Sequence, residues 1–153
     1  MNQLKPYDEA EAEIFKLQDE ITEKTKQLAQ ARKRFTPRPI QDYQFETPNG
    51  KVTLSSLFGE RNELLLIHNM GTKCSYCTLW ADGFNGVIHH LENRAAVAVI
   101  SPDSPEVQRA FANDRGWRFK MVSGQSTTFS KDMQYADDKG YQPGVFAFKK
   151  DEK

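Results

Sequence analysis

The chain has 153 residues, with 21 basic and 21 acidic side chains that cancel to a formal net charge of zero. That balance offers no electrostatic case for nucleic acid or an anionic membrane as the main partner, and no apolar run approaches the length of a membrane span. With 38% hydrophobic and 11% aromatic residues, the chain carries apolar runs too dense for a disordered segment, and its length suits one domain around one core.

The N-terminus, MNQLKPYDEAEAEIF, lacks a basic start followed by an apolar stretch, so the expected location is the cytoplasm. From Asp8 to about Arg34 there is neither Gly nor Pro. Ile14, Leu17, Ile21 and Leu28 recur at spacings of three, four and seven, which predicts one apolar stripe along a long helix. Acids gather early and Arg32, Lys33 and Arg34 late, as the helix dipole favours, and Pro37 bars continuation. The expected organisation is an N-terminal amphipathic helix over 1–36 and a domain over 37–153. The stripe serves either packing on its own domain or dimerisation, since its spacing follows heptads over about three repeats, within which Lys24 or Thr25 interrupts the seam.

DYQFETPNGKVTL, with Tyr43 and Phe45 before a Pro-Asn-Gly turn and Val52 and Leu54 after it, predicts a β-hairpin. Glu63 to His68 (ELLLIH) reads as a strand covered on both faces. Leu79, Phe84, Val87, Ile88 and Leu91 predict a helix from Cys77 to about Glu92, against the preference of Gly83 and Gly86. AAVAVIS is a second buried strand; Ser104, Pro105 and Gly116 supply the cap, first turn and stop of another helix. RFKMVS and, after Pro143, GVFAFKK complete a mixed, largely parallel sheet with helices on its faces.

Both cysteines lie in CSYC, Cys74 and Cys77. Thiols stay reduced in the cytoplasm, so a C-x-x-C there points to redox or metal chemistry rather than a structural staple. A disulfide between them would close so short a loop that it adds only roughly 2 kcal/mol. Zinc needs two more ligands, and His68, His89 and His90 lack the spacing of a finger. Inert buried thiols are the remaining reading. In the redox reading Cys74, after a strand and at a helix start, is favoured as a thiolate by the free N–H groups and the dipole, with Lys73 adding to the effect; such thiols fall to roughly 3.5–7.5. Cys77, one turn on, is then the resolving thiol.

GKVTLSSLFG, a strand, C-x-x-C heading a helix and a Pro before the last strand together resemble the thioredoxin fold. Within that superfamily, CSYCTLWADGFNG, GWRFKMVSG and the charged N-terminal helix resemble the thioredoxin-like proteins catalogued as domain of unknown function eight-nine-nine. The resemblance spans about Asp8 to Phe148. It implies an α/β, thioredoxin-like mixed sheet flanked by helices, with a long N-terminal helix and a shortened C-terminus, and a C-x-x-C redox site needing no cofactor or metal. It also places Pro143 where thioredoxins have a cis-proline that faces the cysteines and guides substrate backbone.

Two departures stand out. Thr72 and Lys73 precede Cys74, and Ser75-Tyr76 fill the motif, where thioredoxins proper have Trp-Cys-Gly-Pro-Cys. Thioredoxin-like chains also continue past the proline-led strand with another strand and a helix, so the sheet edge here is either open or covered by something else, and an open edge invites pairing. His68, six positions before Cys74, stands where thioredoxins keep a buried acid; it is a candidate for proton transfer, or a strand-end histidine with no such duty. Trp80 is a candidate flank of the site or a core aromatic, and Asp82 a solvated or capping group. The expected function is thiol–disulfide exchange on a disulfide-containing protein or small thiol. A peroxiredoxin-like thiol peroxidase is the nearest alternative, although the Pro-x-x-x-Thr/Ser-x-x-Cys setting is absent and Thr72 is only a weak echo of it. A non-catalytic dimeric module is the third reading.

Overall fold

The computed structural model describes residues 7–151. The chain divides into two compact units, 1–40 and 41–153.

The first unit is built on helix α1, Glu9–Lys33. Asp8 caps it by accepting the Glu11 N–H at 2.9 Å, which pairs one donor that the helix leaves orphaned, and the Glu11 carboxylate accepts in turn from the Tyr7 N–H just before the cap. Arg34 closes the other end. None of its residues is buried, and Ile14, Leu17, Ile21 and Leu28 are 48–65% exposed, so the stripe expected from the sequence exists and stands open.

The second unit is a six-stranded sheet in the order β2-β1-β5-β4-β3-β8. A hairpin, β1 (Gln44–Thr47) and β2 (Gly50–Thr53), turns at Pro48-Asn49 with Gly50 at φ 111°, a conformation that suits glycine. Strands β3 (Glu63–His68), β4 (Ala96–Ser101) and β5 (Lys120–Ser123) pair in parallel through the crossover helices α2 (Ser75–Arg94) and α3 (Pro105–Arg115). A short helix α4 (Phe129–Asp132) and a two-stranded ribbon, β6 (Ala136–Asp137) with β7 (Gly140–Tyr141), lead into β8 (Gly144–Lys149), which returns antiparallel to β3. Ser104 and Gly116 bound α3 as expected, the serine accepting the Val107 N–H and the glycine standing at φ 65°.

Two apolar layers cover the two faces. Leu64, Leu66, Ala98, Ile100 and Val122 pack with Tyr43, Phe45, Phe129 and Phe146 on one face; Ile67, Val97 and Val99 pack with Ala81 and Ile88 of α2 and with Phe119 on the other. The alternation along β3 follows from its period of two. Phe129 is fully buried and meets the rings of Tyr43, Phe45 and Phe146 edge-on at 5.1–5.4 Å between centroids, an arrangement their quadrupoles favour.

Several expectations change. Three of the five neighbour pairings are antiparallel, because the hairpin joins β5 from one side and β8 joins β3 from the other, so the sheet is mixed rather than largely parallel. Helix α2 begins at Ser75, two residues earlier than the apolar spacing indicates, because Cys74 itself caps it. The α4 turn and the ribbon have no counterpart among the expected elements. The bond preceding Pro143 is trans, not cis. β8 pairs with β3 alone, and no further strand lies along its outer side among the described residues. Truncating the buried hub, Phe129→Ala, should lower stability by about 3–5 kcal/mol, read as an earlier midpoint in a denaturant titration.

Candidate functional site

The loop from Asn69 to Cys74 leaves the end of β3 and delivers the chain to α2, and buried polar groups hold it. Asn69 donates its N–H to the Ile100 carbonyl at 2.8 Å, and its side-chain oxygen accepts the Gly71 N–H at 2.8 Å. Asp103 accepts the Thr72 N–H at 2.9 Å and the Ser101 hydroxyl at 3.2 Å. Gly71 stands at φ 104° with its Cα against that carboxylate; an added Cβ would meet Asp103 Oδ2 at 3.0 Å. Any other residue would be strained there and would press on the anchor. Sequence reasoning passed over Asp103, because the adjacent Ser104-Pro105 read fully as a helix start. Beneath the loop, a cavity of about 10 Å³ touches Asn69, Ser101, Asp103 and Gln108. Gln108 Oε1 is a buried atom with no hydrogen-bond partner among the described residues.

Cys74 is the N-cap of α2: its Sγ accepts the Cys77 N–H at 3.1 Å, and its carbonyl accepts the Thr78 N–H at 3.0 Å. A sulfur thus takes the place that a serine or aspartate oxygen usually fills. Cys74 is partly exposed, whereas Cys77 is buried one turn inside, and both are free thiols. Burial first, and the neighbouring Cys74 sulfur second, push the Cys77 thiol up to about 11. The Met70 N–H points to its Sγ at 3.5 Å and, with the backbone of Cys77 itself, works in the opposite direction.

Lys73 lies on the rim. With Thr72, Ser75, Thr78, Leu79, Asp82 and Arg115 it borders an open groove of about 390 Å³ that runs along the first turns of α2. Trp80 is 64% exposed and leans on Phe84 at 6.0 Å, so it flanks the helix start at the surface rather than filling the core. Tyr76 and Leu79 are exposed beside it. Pro143 immediately precedes Gly144, which pairs with His68 at the end of β3 from which the cysteine loop departs. Asp82 is not merely solvated: it accepts from the indole of Trp117 at 2.7 Å and pairs with Arg115, whose guanidinium holds its carboxyl below the usual range. Asn85 joins this brace, accepting the Arg118 N–H at 2.9 Å and donating to the Gly116 carbonyl at 3.1 Å.

His68 departs from its expected place beside the cysteines. It shares a face with Leu64 and Leu66, away from the α2 side to which Ile67 belongs. Its Nδ1 lies 2.6 Å from the Gln142 carbonyl and its Nε2 2.8 Å from the Ser130 hydroxyl. A carbonyl only accepts, so Nδ1 carries the proton and Nε2 accepts from Ser130. The ring sits among Tyr135, Tyr141 and Phe146, and burial holds its pKa below the ordinary value. Both ring nitrogens are engaged, one by the Gln142 carbonyl just before Pro143 and the other by the Ser130 hydroxyl. Among the described residues no cluster of three His, Cys, Asp or Glu could hold a metal ion, and no helix is long and apolar enough to cross a membrane.

A family described as "Bacterial protein of unknown function (DUF899)" matches residues 1–152. No curated protein matches the chain in sequence. Among solved structures, peroxidoxin BcpB from Mycobacterium tuberculosis aligns with a TM-score of 0.62 at 21% identity, over 74% of this chain and 77% of that one. A mutant of PrxQ from Xylella fastidiosa aligns with 0.63 at 18%, over 74% and 76%. Peroxiredoxin Q from Xanthomonas campestris aligns with 0.62 at 18%, over 70% and 73%. At these identities the likeness establishes the fold: a thioredoxin-like α/β sheet of the kind peroxiredoxins use.

Two outcomes follow from the titrating groups. Iodoacetamide at neutral pH should alkylate Cys74 and spare Cys77, whose labelling, followed by mass spectrometry, should rise only as the pH nears about 11. For His68 the folded pKa lies below the unfolded one of about 6.5, so the unfolded chain binds the proton more readily and stability falls as the pH drops through that range. His68→Asn, which cannot titrate, should flatten the acid limb of a plot of melting temperature against pH relative to the parent protein.

Proposed function

The chain belongs to the DUF899 family of bacterial proteins, and on that footing we propose that it is a thiol–disulfide oxidoreductase in which Cys74 attacks and Cys77 resolves. The observation that carries the reading is the asymmetry of the pair: Cys74 caps α2 at the surface with an N–H on its sulfur, while Cys77 waits one turn inside with its proton held tightly. An exposed, N–H-stabilised sulfur suits the nucleophile, and a buried one protects the resolving thiol until the first bond has formed.

The Cys74 thiolate attacks one sulfur of a substrate disulfide, whose S–S bond breaks, and the departing thiolate takes a proton from solvent. Cys77 then loses its proton and attacks Cys74 Sγ. The second substrate thiol leaves, two electrons have passed to the substrate, and the protein holds a Cys74–Cys77 disulfide that an external dithiol must reduce. Pro143, just before β8 and beside the end of β3, and the groove bordered by Lys73, with Trp80 beside the helix start, are the surfaces that would hold the substrate backbone and side chains. The substrate is a disulfide-containing protein or a small thiol in its disulfide form.

A thiol peroxidase is the second reading, and the specific observation favouring it is the run of peroxiredoxins among the similar folds. In that chemistry Cys74 would give its electron pair to one peroxide oxygen, whose O–O bond breaks with release of water or an alcohol, and become a sulfenic acid; Cys77 would then condense on it, forming the Cys74–Cys77 disulfide and releasing water. Against it, Gly71 and Ile67 stand where the peroxiredoxin motif needs its Thr/Ser and Pro.

Cys74→Ser should abolish dithiol-dependent disulfide reduction, and Cys77→Ser should accumulate a mixed disulfide visible by mass spectrometry; unchanged turnover in either variant refutes the assignment. The resolving step should accelerate with pH toward about 11 as Cys77 deprotonates. Rapid consumption of hydrogen peroxide by the reduced protein, with no reduction of disulfides, would select the peroxidase.

A further inference from the structure

We propose that α1 pairs antiparallel with the α1 of a second copy of this chain, making the protein a homodimer. A helix of 25 residues is about 37 Å long. Helices in proteins draw most of their stability from packing an apolar face, because nucleation is costly and local terms are small. This one buries nothing: its caps and its charged ends are satisfied, yet Ile14, Leu17, Ile21 and Leu28 are all about half exposed or more. Those four occupy heptad positions, the geometry in which one helix covers another.

Charge selects the occupant and its direction. Asp8–Glu20 carries six acids and one base, whereas Ile21–Arg34 carries one acid and five bases. Each helix is therefore its own electrostatic complement only when turned end for end. The heptad that puts Ile14, Ile21 and Leu28 at position a and Leu17 at d sets Leu17 opposite the partner's Leu28 in the antiparallel register. In that register Glu11 faces the partner's Arg32 and Glu13 faces the partner's Arg34, and the two-fold axis repeats both pairs. Lys24 then falls in the seam beside the partner's Ile21, where a long aliphatic stem covers apolar surface and the charged head reaches solvent; a polar residue at such a place fixes register. Parallel pairing forms none of these acid–base contacts and lays the acidic halves side by side.

The test uses the full chain in light scattering coupled to gel filtration. The parent protein should elute at about 35 kDa, twice the chain's 17.5 kDa, and shift toward monomer as salt rises. The double variants Glu11→Lys/Glu13→Lys and Arg32→Glu/Arg34→Glu should each be monomeric, and their equimolar mixture should regain the dimer, because an all-basic flank then meets an all-acidic one. The mixture controls for simple loss of the helix, which mixing would not repair. A monomeric parent protein at 100 µM overturns the proposal, as do double variants that remain dimeric alone or a mixture that stays monomeric.

Discussion

A helix that starts at the mouth of a buried strand must find acceptors for its first N–H groups, and in this protein one acceptor is a sulfur. Much of the candidate site follows from that constraint. To cap α2, the Cys74 side chain must turn back over the first helical turn, which sets it against the Cys77 N–H at 3.1 Å and leaves it partly exposed. The same turn carries Cys77 inward against the sheet, so two residues of one type, two positions apart, acquire opposite environments. Burial and the nearby sulfur then raise the inner thiol, while the outer sulfur keeps its N–H donor and its partial exposure.

That cap would wander without the framework around it. Asp103 and Asn69 hold the loop's N–H groups from the ends of β4 and β3, and Asp82 and Asn85 tie the outer side of α2 to the turn between α3 and β5. Each of these contacts joins segments that the sheet already places side by side, so the ordering cost is shared with the core. The exposed pairs at the helix surface matter less to stability than to direction: a surface ion pair is worth little, but Asp82 also accepts from a half-buried indole, which fixes where the helix lies.

The strands and helices were legible because each rests on a local rule: an apolar run for β3 and β4, a Ser-Pro start and a glycine stop for α3, a Gly- and Pro-free heptad for α1. The cysteine pair was legible for the same reason, since C-x-x-C at a strand–helix junction is a short-range signal. What escaped depends on contacts across the chain. Asp103 is an ordinary aspartate until the loop folds onto it from 31 positions upstream. The six positions between His68 and Cys74 leave open whether the histidine serves the cysteines or only ends a strand; the two-residue period of β3 turns it to the face of Leu64 and Leu66, and the ribbon beside it has only two residues per strand, too short to leave a pattern. The strand directions also escaped, because a hydrophobic run says a strand is covered without saying which way its neighbour points.

The imidazole of His68 works as a rivet driven through the sheet. Its shank is part of β3, the strand that launches the reactive loop, while its head is clenched on the far side by the Gln142 carbonyl and the Ser130 hydroxyl. Because the residue after Gln142 is Pro143, which has no N–H of its own to fasten it, the bond from this ring to the Gln142 carbonyl and the bond from the Gln142 N–H to the Tyr135 carbonyl tether the chain just ahead of β8.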